Sequence, residues 1–465
     1  MRARPTLLAL AFAATLWPAA HATDLLEVWR AALAQDPEFA AARAGYAAGQ
    51  ARQTQADALW RPAVTLQAGV GVGTAENAIR GAQFSAPGFG QSTGVNFDTS
   101  VTGGTATRYA LSLRQPLYSR ERQVESEQLR IAAGMASQEW QAAQQQLMLR
   151  AAERYFDAAL AAQQLRLVRE QELSVERARV EAEDRFRIGD RPVTDVHEAT
   201  ARSSALAAQR LAAQSELEVR RALLADLMGS PPDADLPLPA SARGEAPAVG
   251  ALEGWMERAA RDNPLLLLAQ QQVAHSEQEA RKTVAALSPT VDLVAQLGGE
   301  KLSGSGDFGS AKNSALNRAV GLQLTVPLYT GGLRSARNTE AEALASKARS
   351  ELDRARQQAT QQARAAWLEL SVGRGRVVAL ENGWRASLAR LDATRTGLQA
   401  GDRTTLDLLN AQNDAAAAEL ALLQARVQQL MQRLRLAAVA GALDETVLAA
   451  INRELGAGQQ PPAGN

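Results

Sequence analysis

The chain has 465 residues, of which 46% are hydrophobic and only 4% aromatic, and its 50 Lys+Arg balance its 50 Asp+Glu. Such a length carries a large folded body, and an Ala/Leu-rich composition favours helices packed through small side chains. Zero formal net charge argues against a basic nucleic-acid surface, and a chain without cysteine holds no disulfide or thiolate metal site.

The first element, residues 1–22, reads as a secretory signal. Arg2 and Arg4 precede the apolar run Leu7–Trp17, and Ala20-His21-Ala22 is a small-x-small cleavage pattern that makes Thr23 the first mature residue. No cysteine follows to carry a lipid anchor, and no later stretch reaches 18 uninterrupted apolar residues.

The mature chain repeats itself. Asp36-Pro37 matches Asn263-Pro264 and Pro62 matches Pro289, both at an offset of 227 (264 − 37 and 289 − 62). Pro116-Leu117-Tyr118 matches Pro327-Leu328-Tyr329 at 211 (327 − 116), and Tyr155 matches Trp367 at 212 (367 − 155). Gly189-Asp190 and Gly401-Asp402 also stand 212 apart (401 − 189). These echoes divide the chain into a repeat over 23–229, a Pro-rich linker at 230–250, a second repeat over 251–442, and a terminal segment, 443–465, ending in a disordered tail.

Within each repeat, Asp36 or Asn263 caps a helix whose first residue is proline, running to about Trp60 or Leu287. Strand pairs follow, at 62–116 and 289–327. Val64, Leu66, Ala68, Val70 and Val72 alternate with Thr65, Gln67 and glycines. Tyr109, Leu111 and Leu113 alternate likewise, as do Val291, Leu293, Ala295 and Leu297, and Val320, Leu322, Leu324 and Val326. The spacing predicts strands of about 9–11 residues, the length that crosses a bilayer when tilted. Gly/Ser-rich loops around 81–104 and 298–310 join them. Trp60, Tyr118 and Tyr329 stand at the strand–helix junctions, where an aromatic belt sits. Polar positions such as Asp292, Gln323 and Arg114 line the opposite, wet face. Four strands leave two open edges, which lipid does not tolerate, so membrane strands require that several chains pool them. A soluble β-sandwich is the alternative reading of these strands.

Each Pro-Leu-Tyr then opens a long helical hairpin, 117–229 and 328–442, with proline at the helix start. In the second, Leu370, Val377, Trp384, Leu391 and Leu398 recur every seven residues. Beyond Gly401, so do Leu406, Asn413, Leu420, Val427 and Leu434, and Leu409, Ala416, Leu423, Leu430 and Ala437. Gly189 and Gly401 fit the position just past a helix end, and Thr194 and Thr404 are candidates to start the returning helices.

Gly304–Gly309 (GSGDFG) matches a Gly-rich nucleotide loop but is followed by a strand rather than a helix, so it reads as an external loop. His197-Glu198-Ala199-Thr200 lacks a second zinc-binding histidine, and only three histidines exist in the chain. No catalytic constellation, metal site or cofactor site is assigned.

The cleaved signal, the two halves, the strand pairs, Gln115-Pro116-Leu117-Tyr118-Ser119 and Val326-Pro327-Leu328-Tyr329-Thr330, and the paired turns Gly189–Val196 and Gly401–Leu408 together resemble the TolC family of outer-membrane efflux and type I secretion channels. The resemblance implies an α+β membrane protein: a homotrimer whose 12-stranded outer-membrane β-barrel, four strands per chain, continues into a long periplasmic α-helical barrel. It implies a Gram-negative outer-membrane location in contact with lipid, a periplasmic adaptor protein, and an inner-membrane pump, ABC-type or proton-driven. By position, Thr194 and Asp195 become the acceptors for Arg403 in a gate at the periplasmic tip. Leu398 stands where the family often has a tyrosine. The acidic rings of the constriction map to Asp407 and Asn410, of which only Asp407 is acidic. The rival reading is a periplasmic coiled-coil adaptor or scaffold without a pore.

Overall fold

The computed structural model describes residues 23–88, 90–190, 192–232, 236–239, 250–306 and 309–456. The signal expected at 1–22, most of the 230–250 linker, Asp307-Phe308 of the GSGDFG loop and the tail from 457 lie outside the described residues. In chain order the elements are α1 (Leu25–Gln35), α2 (Pro37–Ala58), β1 (Ala63–Ala86), β2 (Gly90–Ser119), α3 (Arg120–Arg187), α4 (Val193–Met228), α5 (Leu252–Asp262), α6 (Pro264–Ala285), β3 (Thr290–Gly306), β4 (Gly309–Thr325), α7 (Leu333–Ala400), α8 (Thr405–Val439) and α9 (Glu445–Gly456). α1 and α5 have 11 residues each, α2 and α6 have 22, and α3 and α7 have 68. Among the described residues no helix is long and apolar enough to cross a membrane.

Both caps expected from sequence are present. The Phe39 amide donates to Asp36 Oδ2 at 3.2 Å and the Leu266 amide to Asn263 Oδ1 at 3.0 Å. Each cap satisfies a backbone donor that the first helical turn leaves open. The helices end at Ala58 and Ala285, two residues before Trp60 and Leu287, because short turns precede each strand.

The chain divides into two compact units. One, mainly helical, draws on the chain up to Gly45, on Gln138–Leu267, and on the chain from Arg354. Its core gathers Leu25, Val28 and Trp29 of α1, Leu147, Tyr155 and Phe156 of α3, Leu224 of α4, Val427 and Leu434 of α8, and Leu448 and Ile451 of α9. Helices from both ends of the sequence thus share one core. The heptad positions of α8 account for this: Leu409, Leu423, Leu430 and Ala437 are all buried, as are Val427 and Leu434. Asn413, in the same series, is exposed. Along α7, Leu370 and Val377 are buried against Leu436 and Leu422 of α8 respectively.

The two hairpin tips are built alike. Gly189 and Gly401 have φ of 80° and 84°, a region open to glycine at no steric cost. The Asp190 amide donates to Arg185 O at 2.9 Å and the Asp402 amide to Gly397 O at 2.9 Å. In both, the chain closes its helix by a six-to-one bond around a left-handed glycine.

The other unit, Tyr46–Ser137 with Leu268–Asp353, contains an antiparallel sheet in the order β1-β2-β3-β4. Two expectations are corrected here. The segments around 81–104 and 298–310 are largely strand: β1 and β2 reach 24 and 30 residues, β3 and β4 17 each. Their Gly/Ser-rich composition hides this, because outside an apolar environment both faces of a paired ribbon tolerate polar residues and the period-two signal fades. Nor do the helices start at Pro-Leu-Tyr. Pro116 pairs with Asp292 inside β2, and α3 begins at Arg120. Pro327 lies in irregular chain between β4 and Leu333, the first residue of α7. Proline without an N–H is placed where a ladder breaks, and the β2–β3 register shifts between Pro116 and Tyr118.

Candidate functional site

The sheet sorts its side chains by face. Register aligns Leu66, Leu111 and Leu297 across β1, β2 and β3, and Val64, Leu113, Ala295 and Val320 across all four strands. Directly paired residues point to one side, so one face is predominantly apolar, interrupted by Gln115 and Arg318. Leu66 is 70% exposed, Val72 83% and Leu322 69%. Burying such surface is worth about 25 cal/mol per Å², so an apolar sheet face left bare marks a site that something covers.

The apolar stripe steps across the strands. On β1 it runs from Val64 to Val72; on β4 it runs from Leu324 to Leu316, broken only by Arg318. Val64 shares a row with Val320, four residues from Leu324. Ala68, four residues from Val72, shares a row with Leu316. Both margins therefore move four residues over three strand spacings. At about 3.4 Å per residue and about 4.8 Å per spacing, the strands incline by about 43° from the normal to the stripe, within the tilt of closed barrels.

On β2 the stripe begins and ends in tyrosine. The residue inserted after Pro116 sets Tyr118 opposite Val291, on the apolar face, where unbroken alternation would have put Leu117. Tyr109 closes the stripe at the other end, a span of 10 residues (118 − 109, inclusive). Tyr109 pairs with Gly299, and a Cβ on Gly299 would stand 2.7 Å from its ring. Glycine there lets the ring lie flat on the neighbouring strand. Sequence reasoning missed this pair, since nothing in the order of residues announces a cross-strand partner. Trp60 is half-buried in the turn before β1, and its carbonyl accepts from Gln115 Nε2 at 2.8 Å. Tyr329, between β4 and α7, is 89% exposed.

The opposite face carries Thr65 hydrogen-bonded to Ser112 at 2.6 Å. There too Arg114 donates through Nε (2.9 Å) and Nη2 to Asp292, which is buried and lies in register with Gln323. The charge at this position is thus matched within the chain.

At the helical tip, Thr404 and Asp407 form a reciprocal cap. The Asp407 amide donates to Thr404 Oγ1 at 3.1 Å, and the Thr404 amide and hydroxyl donate to Asp407 Oδ2, each at 2.9 Å. These donors, aided by the charge of Arg403, hold the Asp407 carboxyl below its ordinary value. Thr194 has no equivalent role. α4 starts from Pro192 without a side-chain cap, and the Thr194 hydroxyl donates instead to Asp195 at 3.5 Å. Asp195 and Thr404 line one cavity of about 200 Å³ with Glu181, Arg185, Arg202 and Leu409. Arg403 is exposed and lies back over Gly397, where a Cβ would be 2.7 Å from its Cγ. Among the described residues Arg403 forms no ion pair. Asn410 accepts from Arg202 Nη2 of α4, a tether between the two hairpins that sequence position did not reveal. Nearby, Arg179 and Ser203 donate to Glu176 and hold its carboxyl low. Leu398 is half-buried at the end of α7, and its carbonyl accepts from the Gly401 amide at 3.2 Å.

A family described as outer membrane efflux protein matches residues 28–230 and 255–442. The outer membrane protein TolC of Vibrio cholerae is 26% identical over 445 residues, covering 95% of this chain and 96% of that one. The alkaline protease secretion protein AprF of Pseudomonas aeruginosa is 28% identical over 464 residues, covering 99% and 93%. Among solved structures, the outer membrane protein VceC of Vibrio cholerae superposes with a TM-score of 0.67 at 20% identity, covering 90% of this chain and 96% of that one, which shows the fold. The family is one of transport proteins rather than enzymes. The chain therefore belongs to the outer membrane efflux protein family, which supports the channel over the pore-less adaptor.

Proposed function

We propose that three copies pool their sheets into a 12-stranded barrel in a Gram-negative outer membrane, and that their helical hairpins form the periplasmic part of one duct. The duct is the exit of a tripartite efflux or type I secretion system, joined through a periplasmic adaptor to an inner-membrane pump that supplies the energy and selects the cargo. The observation that carries this reading is the bare apolar face inclined at about 43° across a four-stranded sheet with both edges free. In lipid those edges require partners, and further copies of the same sheet supply them. Relatives named for protease secretion and for efflux support an export role of either kind.

The equal lengths of α3 and α7 and of α2 and α6 support two tandem repeats, 23–229 and 251–442. Trp60, Tyr118 and Tyr329 serve as interfacial anchors. At the tip, the acceptor of Arg403 is the Thr194–Asp195 pair, met when neighbouring hairpins close, with Leu398 contributing packing instead of a hydrogen bond. Asp407 supplies a ring of negative charge, one turn from the neutral Asn410.

Outer-membrane fractions test the assembly: a heat-sensitive trimer in detergent, giving stepwise conductance in a planar bilayer, is expected. A detergent-free soluble monomer would overturn it.

A further inference from the structure

The β1–β2 ribbon outgrows the rest of the sheet. Ser305 pairs with Thr102 near the end of β3, while β1 continues from Ala75 to Ala86, about 40 Å at ~3.3 Å per residue. A free two-stranded ribbon is marginally stable by itself, so the identity of its faces matters.

Its polarity is inverted. β1 alternates without interruption from Val64 to Ile79, which puts Ala75, Asn77 and Ile79 on the side of Thr65 and Gln67, the polar face lower down. On β2, a register shift at Thr102–Gly103, with Gly103 at φ 62°, inserts a residue and turns Val101, Thr99 and Phe97 to that same side. A second bulge at Gly81, whose amide donates to Asn96 Oδ1 at 3.2 Å, keeps Ala82 there opposite Val95, and a further register shift on β2 leaves Phe84 on the same side opposite Ser92. Phe84 and Phe97 pack with ring centroids 5.3 Å apart, yet Ile79 remains 56% exposed and Phe84 40%. The other side carries Glu76, Ser100 and the Arg80–Asp98 ion pair at 2.8 Å.

Below Val72 the sheet is thus apolar outside and polar inside; above the bulge it is polar outside and apolar inside. Water and headgroups suit the outer polar face. The inner apolar face, continuous with the bore, needs cover, and closing a barrel brings two further copies of this surface to the same height around the same axis. We infer that the three hairpins associate through Ile79, Phe84, Phe97 and Val95 across the external mouth, forming an apolar constriction that restricts flow by excluding water. This inference rests on the trimeric channel proposed above.

The chain has no cysteine, so F84C introduces a unique thiol. In outer membranes treated with a short bismaleimide, F84C is expected to give covalent dimers, and E76C on the opposite face is not. Full labelling of F84C by a bulky impermeant maleimide without dimers, or equal cross-linking of E76C, overturns the inference. In planar bilayers, the I79S/F84S/F97S variant is expected to raise resting conductance roughly twofold or more while remaining a heat-sensitive trimer. Unchanged conductance from such a trimer also overturns it. Failure of the underlying channel would show separately, as absence of trimers and of conductance in the unsubstituted protein.

Discussion

Tyr155 of α3 and Trp367 of α7 each hold a backbone carbonyl of the segment between α4 and α5. Tyr155 Oη donates to Pro237 O at 2.8 Å, and Trp367 Nε1 donates to Gly250 O at 2.9 Å. The tyrosine is fully buried, and burial pushes its phenol well above the ordinary value, so it remains a donor at every physiological pH.

Tyr155→Phe removes that donor and strands a carbonyl beside the core. We expect a loss of about 1 kcal/mol, and a smaller loss for Trp367→Phe, whose hydrogen bond is exposed to water. Denaturant unfolding of the detergent-solubilised protein measures both; equal effects would contradict the assignment.

Gly299→Val places atoms where the Tyr109 ring lies. Overpacking of this kind costs about 1–3 kcal/mol, and the heat-dissociation midpoint of the assembled protein should fall. Adding Tyr109→Ala opens the space, so the double variant should lose less than the sum of the two single variants.

Asp407 carries both a local and a long-range expectation. Its carboxyl is held low by the Thr404 donors, so its stabilisation is fully present above the ordinary carboxylate value and is lost only as pH falls through the lowered one. Cation preference should accordingly persist in mild acid and weaken in Asp407→Asn, read as reversal potential across a salt gradient. Thr404→Ala removes the cap at about 1 kcal/mol and should move the acid limit of selectivity upward.

Arg403→Ser and Arg202→Ala address the gate proposed at the tip. Exposed pairs are worth ~0.2–1 kcal/mol, so each substitution should raise the open fraction by about 1.4- to 5-fold for every such pair it removes. Single-channel recording reads this directly. An unaltered closed state in Arg403→Ser would remove Arg403 from the gate.

Much of this was legible in the sequence. Prolines and caps at Asp36 and Asn263 announced helices, alternation at Val64–Val72 and Val320–Val326 announced strands, and Gly189 and Gly401 announced the reversals. The apolar band was readable because hydrocarbon imposes a period of two. Beyond it, from Gly73 to Val101, the apolar residues change faces and the register shifts three times, so the period of two breaks and strand looked like loop. The bulges at Pro116, Gly81 and Gly103 depend on pairing with another strand, which residue order does not encode. The same holds for Arg202 reaching Asn410, and for the choice of Thr404 over Thr194 as a cap.

The two Pro-Leu-Tyr junctions look alike in sequence but transmit motion differently. β2 passes into α3 with no residue between Ser119 and Arg120, and the residue inserted after Pro116 fixes the phase at which the first side chains of that helix emerge. β4 instead releases seven residues, 326–332, before Leu333 (332 − 326, inclusive), two of them glycines with positive φ. A twist applied at the sheet is therefore geared rigidly into the start of α3 and slips at the start of α7. The start of α7 takes its orientation from α6 instead, where Thr283 Oγ1 donates to Asn338 Oδ1 at 2.9 Å and Arg349 Nη2 to Glu277 Oε1 at 2.7 Å.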